Sequence, residues 1–139
     1  MPTANVNVLA VLVAALLTFV LGAFWYSPVL FARQWMQAQG YTPEKVQEMK
    51  KKGMTRAYAV SALCYVVTAY VVALLAGYTN STTLAQGLWL GFLCWLGFAA
   101  TIGLAANVFS EKPIAAWVID AGYQLAYLVI MSVLLSLWR

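Results

Sequence analysis

The stretch AYAVSALCYVVTAYVVALLAGYTNSTTLAQGLWLGFLCWLGFAATIGLAANVFS, Ala57 to Ser110, contains no Lys, Arg, Asp or Glu. A hydrocarbon layer about 30 Å thick takes roughly 20 apolar residues to cross as a helix, so this stretch is too long for one crossing. It is divided by Gly77-Tyr78-Thr79-Asn80-Ser81-Thr82-Thr83, a dense run of turn formers. Two membrane-length helices joined by a short loop follow. Outward from this pair, Asn7 to Tyr26 carries no charge, and Pro113 to Trp138 carries only Asp120. The expected fold is an all-α membrane protein with four transmembrane helices at about 7–26, 57–77, 84–109 and 113–138, forming one domain over 1–139.

Composition agrees. Of 139 residues, 64% are hydrophobic and 9% charged. A water-soluble chain this short exposes much surface and needs more charge to cover it, so lipid is the expected solvent. No Lys or Arg precedes the first span, and Phe24-Trp25-Tyr26 stands where a cleavage site would need small residues, so that segment is expected to stay as an anchor.

Positive residues remain on the cytoplasmic side of short loops. Arg33, Lys45, Lys50, Lys51, Lys52 and Arg56 lie between spans one and two, Lys112 between three and four, and only Arg139 on the other side. Seven against one gives the expectation that the loop 27–56 lies inside and both termini outside. Trp25, Tyr26, Tyr58 and Trp117 mark the inner boundary, and Tyr78, Trp89 and Trp138 the outer one. The net charge of +4 is thus accounted for by topology, and no nucleic-acid partner is expected.

The inner loop reads as a helical hairpin. Phe31, Trp35 and Ala38 share one face of a helix over Val29 to Gln39, Gly40 closes it, and Thr42-Pro43-Glu44 supplies an N-cap, a proline at the first position and an acid in the first turn. Glu48 and Lys52 are spaced as an i,i+4 pair. Lys50, Lys51 and Lys52 are candidates for contact with anionic lipid headgroups, and equally serve as the topology signal.

Helices in lipid need small residues where they pack closely. Ala10, Ala14, Thr18 and Gly22 form such a stripe on span one, as do Ala57, Ser61, Ala69, Ala73 and Gly77 on span two. Gly87 and Gly91 form a GxxxG on span three, followed by Gly97, Thr101 and Ala105. These stripes fit packing within one four-helix unit and also fit a homo-oligomer.

Asp120 is the one ionisable residue well inside a span, so it is expected to face the bundle and to pair, hydrogen-bond or stay protonated. Gln124 and Tyr127 extend its face, and Gly22, Ser61, Tyr65 and Thr101 share its depth, with Arg56 as the nearest counter-ion. Asp120, Tyr123, Gln124, Tyr26, Tyr65 and Thr101 are the candidate ligand or proton site. The alternative is a structural knot locking the helices. The chain has no histidine, and Cys64 and Cys94 both sit in apolar runs, so no metal site, haem or other cofactor is expected. No second acid, activated nucleophile or phosphate-cradling loop accompanies Asp120, and no enzyme is expected.

Trp25-Tyr26-Ser27-Pro28-Val29-Leu30-Phe31 with Trp35 and Gly40, Trp95-Leu96-Gly97-Phe98 with Thr101, and Asp120-Ala121-Gly122-Tyr123 together resemble the bacterial domain-of-unknown-function family 1761 over nearly the whole chain. The resemblance implies a small multi-span membrane protein and assigns no activity. Because the W-Y-S-P element ends span one near the depth of Asp120, the two motifs are expected to meet. The functional expectation is a non-enzymatic bundle that self-associates or serves as an accessory subunit of a membrane complex, with membrane lipids as partners. The alternative is a minimal proton- or cation-coupled transporter of small solutes using Asp120.

Overall fold

The computed structural model describes residues 4–139, and they are all-helical, with no strand among them. Four helices are long and apolar enough to cross a membrane: Val8–Trp25, Thr55–Tyr78, Leu84–Phe109 and Ile114–Leu137. Long apolar segments become helices in lipid because every backbone N–H and C=O must then bond within its own segment. The first is α1 (Val8–Trp25), whose N-cap Asn7 accepts from the Ala10 amide at 3.1 Å. The hairpin helices are α2 (Ala32–Ala38) and α3 (Pro43–Lys52). The second span is α4 (Thr55–Tyr78). The third is α5 (Leu84–Cys94), a π-helical stretch over Trp95–Ala100, and α6 (Thr101–Phe109), and the fourth is α7 (Ile114–Leu137).

The hairpin follows its punctuation. Thr42 caps α3 by accepting from the Lys45 amide at 3.2 Å, with Pro43 at its start and Glu44 in its first turn. The first hairpin helix begins at Ala32, later than its apolar pattern suggests, because Ser27 to Phe31 form turns around Pro28 instead. Across the loop after α4, Thr83 and Gln86 form a reciprocal capping box.

The fourth span is the hub. Helix α7 packs against α1, α4, α5, α6, the π-helical stretch and α2, while α1 and α4 also pack on each other. The third span packs extensively on α7 alone. The core consists of Ala10, Val11, Ala14 and Ala15 of α1, Ala69, Val72 and Ala73 of α4, and Leu128, Met131 and Leu135 of α7. Alanines at these crossings let the backbones approach, and larger α7 side chains fill the remaining space.

Glycines decide the α5 and α7 approach. A Cβ on Gly87 would lie 2.7 Å from the Val133 Cα, and one on Gly91 2.7 Å from the Val129 Cα, so both glycines admit the α7 backbone. Gly22 serves span one in the same way, since its Cβ would lie 2.7 Å from the Tyr123 hydroxyl. Gly97 does not take that role within the bundle. It sits exposed in the π-helical stretch, and nothing lies within 4 Å of where its Cβ would be.

Candidate functional site

The site begins where α1 ends. Pro28 cannot continue a helix, and the chain reverses through a set of backbone bonds in which Leu30 and Ala32 donate to the Ser27 carbonyl at 3.0 and 3.2 Å. Phe31 donates to the Trp25 carbonyl at 3.1 Å, and Ser27 Oγ to the Phe24 carbonyl at 2.6 Å. This turn directs Trp25 and Tyr26 at α7 and lays α2 across the end of that helix.

Asp120 receives them. Tyr26 Oη donates to Asp120 Oδ1 at 2.6 Å, and Trp35 Nε1 donates to the same oxygen at 2.9 Å. Trp25 Nε1 donates to the Ile119 carbonyl at 3.1 Å, one residue away. The expected meeting of the W-Y-S-P element with Asp120 is therefore observed. An indole N–H only donates, so at this oxygen Asp120 acts as acceptor for two donors at once, a charge-assisted arrangement when the carboxylate is ionised. Its Oδ2 takes no protein donor among the described residues. Arg56, the expected counter-ion, is exposed and forms no ion pair with it.

An aromatic column continues from the acid into the bundle. Tyr26 meets Trp35 edge-on at 5.6 Å and Tyr123 at 5.4 Å between ring centroids. Tyr123 meets Tyr127 at 4.9 Å and Tyr65 at 6.5 Å, and Trp35 meets Tyr41 of the hairpin at 5.6 Å. Such edge-to-face pairs each contribute about 0.5–1.5 kcal/mol beyond their burial. Tyr123 is buried and donates from Oη to the Thr18 carbonyl at 2.8 Å, fixing α7 to α1.

Tyr26, Tyr65 and Tyr123 thus join Asp120 in one cluster. Two of the candidate residues do not. Gln124 is half-buried and takes no part in the cluster's hydrogen bonds. Thr101 is exposed, and its hydroxyl donates to the Gly97 carbonyl at 2.9 Å. Two grooves open on the bundle, neither lined by Asp120, and the first borders the aromatic column at Tyr127. One of about 310 Å³ runs beside Leu17, Leu21, Phe24 and Ile130, and one of about 590 Å³ beside Leu84, Leu88, Val133 and Leu137. Among the described residues no three His, Cys, Asp or Glu side chains come together as a metal site.

The sequence reading placed Trp35 on the apolar face of the hairpin and missed it as a donor to the acid. The available signal was its indole N–H, which must find an acceptor when half-buried. Two further indoles were missed for the same reason. Trp95 Nε1 donates to the Ala121 carbonyl at 2.8 Å, and Trp117 Nε1 to the Ala100 carbonyl at 3.0 Å, where the π-helical stretch ends. Lys112 Nζ donates to Gln39 Oε1 at 2.7 Å, tying the loop after the third span to the hairpin.

Fold and site together define a bundle of four helices long and apolar enough to cross a membrane, in which an acid on the fourth clasps the hairpin joining the first two. The chain belongs to the family described as protein of unknown function (DUF1761), whose model matches residues 9–136. No curated protein and no solved structure matches it.

Proposed function

We propose that this chain is a non-enzymatic bundle of the bacterial inner membrane that self-associates or joins a larger complex as an accessory subunit. Its hairpin lies on the cytoplasmic side and both its termini outside. The observation that carries this reading is the third span, which packs extensively on α7 alone and leaves Gly97, Thr101 and Ala105 exposed. These are small residues of the kind that let another helix approach. The acid supports the non-enzymatic part of the reading, since one of its oxygens is committed to two protein donors that hold the hairpin.

Native mass spectrometry of the protein gently extracted from its own membrane tests this. Chain multiples or stoichiometric foreign subunits are expected, and a bare monomer overturns the reading. Gly97→Leu is expected to dissolve the assembly into monomers that keep the helical fold, since no atom lies within 4 Å of where the Gly97 Cβ would be.

A second reading is favoured by the free Oδ2 of half-buried Asp120: a minimal transporter in which this acid binds a proton or cation. Proteoliposomes reporting collapse of an imposed pH gradient test it. Collapse in the native protein that is lost in Asp120→Asn supports transport, and equal rates remove it.

A further inference from the structure

Helix α3 is lightly packed. It has no extensive contact with another helix, and it is bracketed by Gly40 and Gly53, whose φ angles of +73° and +77° lie in the region that only glycine adopts freely. It ends at Lys52, three residues before α4 begins at Thr55, so it lies where the second span leaves the bilayer.

At about 100° per residue, Val46 and Met49 project from α3 together. They are its half-buried residues, and every other residue of the helix is exposed. On the same wheel Lys45 and Lys52 fall on one flank of this apolar strip and Lys50 on the other. Glu44, Glu48 and Lys51 take the opposite face. No lysine of α3 is held by an ion pair among the described residues. An apolar strip between two lysine flanks, with acids on the far side, is the pattern of a helix lying in the headgroup layer, its lysine stems reaching up to phosphate level.

We propose that α3 docks on anionic phospholipid headgroups of the leaflet from which the hairpin emerges, through Lys45, Lys50 and Lys52. Lys51 takes no part, although the sequence groups it with its two neighbours. Charge complementarity selects anionic over zwitterionic lipid, and the glycine at each end lets the helix settle on the surface independently of the bundle clasped by Asp120.

The test is native mass spectrometry of the whole protein released from nanodiscs of equal phosphatidylglycerol and phosphatidylcholine, counting bound lipids of each kind. The native chain is expected to retain phosphatidylglycerol preferentially. Lys45→Gln, Lys50→Gln and Lys52→Gln should each lower that preference about fivefold, and Lys51→Gln should leave it within twofold. Because all four side chains are exposed, the variants keep the fold. Equal loss in all four variants, no loss in any, or no preference in the native chain overturns the proposal.

Discussion

Tyr26 and Asp120, separated by 94 positions in sequence, meet through a 2.6 Å hydrogen bond that joins the end of the first span to the fourth. Trp35 reaches the same carboxylate oxygen from the hairpin, so one acid holds three segments of chain.

This shared acceptor sets an order of stabilities. Tyr26→Phe removes one of the two donors to the Asp120 oxygen, a loss of about 1 kcal/mol. Asp120→Asn keeps an oxygen that can accept from both donors and is expected to lose less. Asp120→Ala leaves the phenol and the indole without their acceptor and is expected to lose most. Thermal unfolding in detergent checks the order, and Asp120→Asn proving the worst of the three would break it.

Two glycines of the third span should behave oppositely. Gly91→Ala forces a methyl to within 2.7 Å of the Val129 Cα, where the neighbour is backbone and cannot turn aside. It is expected to lower the melting temperature markedly. Gly97→Ala adds its methyl in open space and is expected to be neutral or slightly stabilising. Parallel melts of the two variants decide the matter.

Gly22 and Tyr123 form a compensating pair. In Gly22→Ala the new methyl meets the Tyr123 hydroxyl, which is fixed by its bond to the Thr18 carbonyl. Tyr123→Phe gives up that bond, about 1 kcal/mol, but removes the atom in conflict. The double variant is expected to be more stable than the sum of the two single losses implies, and a double-mutant cycle measures the coupling. Additive losses would count against this contact.

The indole of Trp117 supports the end of the π-helical stretch. Trp117→Phe frees the Ala100 carbonyl, and hydrogen exchange is expected to accelerate over residues 95–101 relative to α5. Unchanged protection there would show that the stretch holds itself.

The four spans and the hairpin caps were legible because each rests on local chemistry: an uncharged run of sufficient length, or a Thr42-Pro43 start. The Tyr26 and Asp120 meeting was legible from depth alone, since both lie near one boundary. Facing was not. Gly91 and Gly97 are the same residue on the same span, and only the pose of α7 makes one a contact and leaves the other bare. Thr101 was grouped with the site and lies exposed, for the same reason. The π-helical stretch adds to the difficulty, because it shifts the helical phase between Gly91 and Thr101 without any proline to announce it. The Thr83 and Gln86 capping box, by contrast, was readable from its T-x-x-Q spacing and was overlooked.

The hub position of α7 carries a consequence for biogenesis. For a chain made and inserted in the order of its sequence, α1 and α4 can pair as soon as both are present, whereas the third span precedes α7, the helix on which it packs extensively. Until the fourth span arrives it is an unmated helix, and Asp120, Tyr123 and the indole contacts close in the same event. In that order the bundle closes at one late step, the docking of α7.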